Sequence, residues 1–172
     1  MEKEKYNQKK TVSILVEPYL AEYARKKFAI SPNGGGIKIP YTYDLYHCIF
    51  NRMQKPPLGA VIAKGGNLLI SLPDSRAMTM RKPPQIWNYL SAEAMTDIEQ
   101  CLRQLFNYDF HQQMMDNESQ GRPRQQIEVV ENFLRSYGIE SLTPSALLKN
   151  FQRYRQRISP RKKRKYQKVA RF

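Results

Sequence analysis

The sequence predicts an α+β fold in which a small mixed N-terminal domain, with about three short strands and three helices, precedes a helix-turn-helix-like helical hairpin and a basic tail. Three observations predict it. Apolar residues alternate in short runs in the first half of the chain, which is typical of strands. They recur at helical spacing from about residue 91 onward, and lysine and arginine then dominate the last residues.

The first predicted elements are a strand and a helix. Residues 1–10 are polar and charged, so we expect a flexible arm. In the segment 11–16, Val12, Ile14 and Val16 occupy alternate positions and so fall on one side, which predicts a strand. A helix follows from Pro18 because proline suits a first helical turn and apolar residues recur at helical spacing to Phe28.

Two more strands and a second helix follow. The segments 37–40 and 67–72 predict short strands because each is apolar and bounded by turn residues. Between them, Thr42 is a candidate N-cap for a helix that ends before Pro56.

A long helix completes the N-terminal domain, which we assign to residues 11–115. Ser91 is a suitable N-cap, and apolar residues then recur at helical spacing to about Met115. Residues 116–124 are polar and contain Gly121 and Pro123, so they predict a linker.

Residues 125–158 predict two helices joined by a short connection. Gly138 is placed to end the first helix, and Thr143 followed by Pro144 is placed to begin the second. The second helix has a buried stripe, made of Leu147, Phe151, Tyr154 and Ile158.

The opposite face of this second helix is polar and cationic. Two helices joined in this way are typical of a helix-turn-helix, whose second helix enters the major groove of DNA. Glutamine and asparagine can pair with adenine, and arginine and lysine with guanine. The predicted contacts of the helix are Ser145, Lys149, Asn150, Gln152, Arg153, Gln156 and Arg157.

The chain ends in a strongly basic segment. The last 24 residues hold 11 of the 29 lysines and arginines and none of the 15 acidic residues. Such a segment repels itself unless a polyanion neutralises it, so we expect residues 159–172 to be a disordered tail that binds phosphates. Its predicted contacts are Arg161, Lys162, Lys163, Arg164, Lys165, Lys168 and Arg171.

Two other functions remain open at this point. Tyr41, Tyr43 and Tyr46 lie close together in the sequence and could stack on bases, as in a protein that binds RNA or single-stranded DNA. Alternatively, the chain is a structural or protein-interaction module, and its tail only increases solubility. Either nucleic-acid function is compatible with a homodimer.

No pattern in the sequence predicts catalysis. The two histidines and two cysteines show no spacing typical of a metal site, and Cys48 and Cys101 fall on apolar stripes. We therefore expect no catalytic residue, metal or cofactor, and a nuclease or recombinase is the weaker alternative.

No apolar run is long enough to cross a membrane, so we expect a cytoplasmic protein without a membrane partner, associated with the nucleoid if the source is bacterial.

The order of these motifs resembles small basic proteins of unassigned function from bacterial prophages and conjugative transposons. The segments that prompt the resemblance are 36–40, 68–73, 133–139 and 151–155. The resemblance implies a mobile genetic element as context, with a link to DNA, and it implies no catalytic residue.

Overall fold

The computed structural model describes residues 11–32, 35–60, 65–73 and 81–159. These residues form the mixed α+β fold that the sequence predicts, with five helices and a four-stranded sheet. The strands are β1 (Thr11–Ile14), β2 (Ala29–Ile30), β3 (Ile37–Lys38) and β4 (Leu68–Ser71). The helices are α1 (Pro18–Lys27), α2 (Asp44–Arg52), α3 (Ala92–Ser119), α4 (Gln126–Tyr137) and α5 (Pro144–Ile158).

The sheet has the strand order β1-β4-β3-β2. Strand β4 is antiparallel to β1 and parallel to β3, and β3 is antiparallel to β2. The alternation in β1 is confirmed, since Val12 and Ile14 are buried beside Leu68 and Ile70 of β4. Strand β2 was not predicted because two exposed residues directly after a helix show no alternation.

Two glycines allow neighbouring strands to approach closely. A Cβ atom on Gly66 would lie 2.2 Å from the carbonyl oxygen of Ile14, and one on Gly36 would lie 2.9 Å from the amide nitrogen of Ser71. Both positions therefore require glycine for its missing side chain.

The predicted helix ends are largely confirmed. Pro18 occupies the first turn of α1, and the Ser91 hydroxyl accepts a hydrogen bond of 3.2 Å from the Ala94 amide at the start of α3. Gly138 ends α4 with a left-handed φ of 60°. The predicted cap Thr42 is wrong, because α2 begins one residue later with Tyr43 as its N-cap.

Helix α3 is longer than predicted. It continues four residues past Met115 to Ser119, so the predicted linker 116–124 begins as helix. The reason is that the Asn117 side chain is buried there and hydrogen-bonded to the backbone of Arg124. Its Oδ1 accepts from the Arg124 N–H at 3.2 Å, and its Nδ2 donates to the Arg124 carbonyl at 3.0 Å. A polar side chain thus anchors the turn that leads to α4.

One hydrophobic core joins the sheet to all five helices. It extends from Val12 in β1 through Phe106 and Phe110 in α3 to Phe133 in α4 and Phe151 in α5. The two predicted parts, 11–115 and 125–158, therefore share this core. None of the helices in the described ranges has the length and apolar composition needed to cross a membrane.

Candidate nucleic-acid interface

Helix α5 packs one side into the core and presents the other to solvent. Leu147 and Phe151 are buried and Tyr154 is half-buried, as the predicted stripe requires. Ile158 departs from the prediction and is 52% exposed. It is the last residue of the helix, where the packing against α3 and α4 has ended.

Six of the seven residues that the sequence assigned to this face are exposed: Ser145, Lys149, Gln152, Arg153, Gln156 and Arg157. Three of them, Lys149, Arg153 and Arg157, follow one another at intervals of four residues. They therefore form a row about 12 Å long on the helix surface. We name these three residues the cationic row.

The cationic row has no ion pair with any residue in the described part of the chain. Arg155, on a neighbouring side of α5, differs because it pairs with Glu118 of α3 at 3.3 Å. Cations without a protein partner remain able to bind an external anion.

Asn150 does not belong to the exposed face, contrary to the prediction. Its Nδ2 donates to the Oδ1 of Asn107 at 3.0 Å, and its Oδ1 lies 2.6 Å from Nε2 of His111. An amide oxygen only accepts, so His111 donates from Nε2. Position 150 is three residues after the buried Leu147, which turns its side chain towards α3 rather than towards solvent.

His111 adds a second contact between α3 and α5. Its ring stacks on that of Tyr154 with 4.0 Å between the ring centres. Burial lowers the pKa of His111, and this effect outweighs the hydrogen bond to Asn150, which raises the pKa; the nearby positive charge of Arg157 adds to the lowering. The neutral ring is therefore the form that fits this contact.

A glutamate on α1 fixes the connection that leads into α5. Oε2 of Glu22 accepts hydrogen bonds from the amides of Glu140 and Ser141, at 3.1 and 3.3 Å, and from the Ser141 hydroxyl at 2.8 Å. Thr143 then caps α5 through its hydroxyl, which accepts from the Ala146 amide at 3.4 Å. Side-chain hydrogen bonds thus hold both the connection before α5 and the first turn of the helix itself.

A largely buried cluster around Asp109 joins α1, α3 and α4. The carboxylate forms an ion pair with Lys27 and accepts a hydrogen bond of 2.6 Å from the Tyr23 hydroxyl and one of 3.4 Å from the Tyr137 hydroxyl. The side chains of Lys27 and Asp109 are only 14% and 17% exposed. Burial, followed by the Asp109 charge, raises the pKa of Tyr137, so both tyrosines remain neutral donors.

Sequence reasoning missed both Glu22 and the Asp109 cluster. Asp109 is separated from Tyr23 by 86 residues and from Lys27 by 82, and Glu22 is separated from Glu140 by 118. Neither carboxylate belongs to a local motif, so periodicity could not connect them to their partners.

The tyrosines predicted to stack on bases are mostly occupied by protein contacts. Tyr46 is buried, and Tyr43 packs edge-on against Phe28 with 5.3 Å between the ring centres. Only Tyr41 of these three is largely exposed, at 69%. The structure therefore does not assemble the stacking surface that these residues suggested.

The predicted contacts in the basic tail lie outside the described residues, as does the N-terminal arm 1–10. Within the described residues, no group of three or more histidine, cysteine, aspartate or glutamate side chains could hold a metal ion.

Comparisons with known proteins give no relative, since the chain matches no protein-family model and resembles no curated protein or solved structure significantly.

We predict that the substitution Asp109→Asn destabilises the protein by about 1–3 kcal/mol, because it removes the ion-pair partner of the largely buried ammonium of Lys27. The free energy of unfolding in urea measures the effect. The matched control is Asp116→Asn, in the exposed part of the same helix, where we expect a change within about 0.5 kcal/mol. Equal effects at both positions would contradict the role of the cluster.

We also predict that His111 makes stability depend on pH. Because its pKa is lowered by folding, the unfolded chain binds more protons in mildly acidic solution, and stability falls as the pH drops below about 6.5. The free energy of unfolding in urea is measured across this pH range for the natural protein and for His111→Gln. The difference between the two proteins isolates the contribution of His111 to the pH dependence of stability. The exposed His47→Gln variant is the control, and a difference between the natural protein and His111→Gln that does not change with pH would refute the prediction.

Proposed function

We propose that this protein is a non-enzymatic DNA-binding protein that uses α4 and α5 as a helix-turn-helix-like unit. In this proposal α5 contacts a groove with its exposed face, and the basic segment after it neutralises phosphates. The observation that carries the proposal is the cationic row, Lys149, Arg153 and Arg157, which is exposed and has no ion pair within the described residues.

The distribution of charge supports a polyanionic partner. No acidic residue follows Glu140, so the row and the segment after it form one continuous region of positive charge along the chain. A region of this kind attracts nucleic acid from a distance and releases counterions when it binds.

The exposed polar residues divide into two roles. Gln152 and Arg153 lie next to each other on the exposed face and have the side chains that pair with adenine and guanine edges. Lys149 and Arg157 lie one turn to either side of Arg153 and suit phosphate contacts. Asn150 has no part in the proposal because its amide is engaged with α3.

Duplex DNA is favoured over single strands or RNA. Single-strand binding relies on exposed aromatic rings, and Tyr41 is the only tyrosine of the predicted group that offers one. A regulatory or accessory role in a mobile genetic element, with association with the nucleoid in a bacterial source, completes the proposal.

The test compares two triple variants of equal charge. Lys149→Gln, Arg153→Gln and Arg157→Gln remove the cationic row, whereas Lys38→Gln, Lys55→Gln and Arg81→Gln remove three exposed cations elsewhere. Affinity for duplex DNA is measured against salt concentration. Removing the row should reduce the slope of log K against log salt by about 2, because Lys149 and Arg157 contact phosphates and each phosphate contact contributes about one unit. Losing the guanine contact of Arg153 should weaken binding further.

The control triple should change the slope by much less. If the two triple variants lose affinity and salt dependence equally, only the net charge of the protein determines binding, which contradicts a contact surface on α5. A natural protein without affinity for duplex DNA at low salt would refute the proposal. A stronger preference for single-stranded DNA or RNA of the same sequence would favour that class of partner instead.

A further inference from the structure

Helices α2 and α3 bring the two cysteines of the chain opposite each other. Arg52 at the end of α2 forms an ion pair with Asp97 near the start of α3, and Gln54 after α2 pairs with Tyr89 before α3. As the chain advances along α2 its partners move back along the sequence, so the two helices run in opposite directions. Cys48 lies one turn before Arg52, and Cys101 lies one turn after Asp97. Residues four apart share a helix face, so the next turn of both helices places the two thiols together.

Further contacts agree with this register. Beyond the ends of both helices, Gln54 and Tyr89 form an antiparallel bridge that continues the same pairing. Apart from burial, it is the nearby Cys101 thiol that raises the pKa of the Cys48 thiol, and both cysteines are half-buried at the edge of the hydrophobic core. They are thus close to each other and still accessible from solvent.

We propose that Cys48 and Cys101 form a modification site that becomes an intramolecular disulfide by exchange with small disulfides of the glutathione class. The thiolate of one cysteine attacks a sulfur of the small disulfide, breaks its S–S bond and releases one thiolate. The second cysteine then attacks the protein sulfur of this mixed disulfide and releases the other thiolate. Two protein thiols are oxidised, one small disulfide is reduced, and the two cysteine protons pass to the released thiolates.

The surroundings of the site determine how fast this exchange runs. Burial, followed by the adjacent Cys101 thiol, raises the pKa of Cys48 to about 12. Only the thiolate attacks, so exchange is slow at neutral pH and accelerates as the pH rises. A slow site of this kind responds to a sustained oxidising environment rather than to a brief one.

The experiment uses the full chain with oxidised and reduced glutathione, both in native buffer and in concentrated urea. Intact mass identifies the products. In native buffer we expect one product that has lost two hydrogen atoms, carries no glutathione and is reversed by a dithiol. Cys48→Ser and Cys101→Ser should each stop at a single glutathione adduct. A disulfide that fits the fold is stabilised by folding. The equilibrium constant for forming the Cys48–Cys101 disulfide with oxidised glutathione should therefore be higher in native buffer than in urea, by about tenfold or more.

Three results would overturn the proposal. They are a natural protein that accumulates two glutathione adducts, one that forms disulfide-linked dimers, and one that oxidises as readily in urea as in native buffer. Each would show that the folded chain does not hold the two sulfurs in bonding position. This test is independent of the proposed DNA binding, since no nucleic acid is present.

Discussion

The carboxylate of Asp109 is the interaction on which the arrangement of the helices depends. A largely buried charge is costly unless it is paired and hydrogen-bonded, and Asp109 obtains its partners from two other helices. Lys27 and Tyr23 come from α1, and Tyr137 comes from α4. A shift of any of the three helices would leave a polar group buried without a partner, so this cluster fixes α1, α3 and α4 relative to one another.

The position of α5 follows from these three helices. The C-terminal end of α4 is held near Tyr23, whose ring lies 4.9 Å from that of Tyr137. One residue before Tyr23, Glu22 binds the connection that precedes α5. Asn150 and His111 then fix the rotation of α5 about its own axis. This rotation turns the cationic row to solvent, which connects a buried carboxylate in α3 to the surface that we propose for DNA.

Much of the fold could be predicted because its signals are local. The alternation of Val12 and Ile14, the cap at Ser91 and the glycine at 138 each depend on neighbours a few residues away, and all three appear as predicted. Features that depend on distant residues could not be predicted. The end of α3 was set too early because the bonds of Asn117 to Arg124 cross a turn, and Asn150 was assigned to the surface because its partners lie on another helix. The same limit applies to the proximity of Cys48 and Cys101, which lie on different helices.

The most direct measurement of the central claim is amide chemical-shift mapping by NMR during titration with a short DNA duplex. The account predicts that the largest changes in the described part of the chain fall on α5, at Ser145, Lys149, Gln152 and Arg153, with small changes in β1 and β4. Because Asn150 is tied to α3, its side-chain amide should keep its hydrogen-bonded position in the complex. Changes concentrated on the sheet or around Tyr41, with α5 unaffected, would contradict the account.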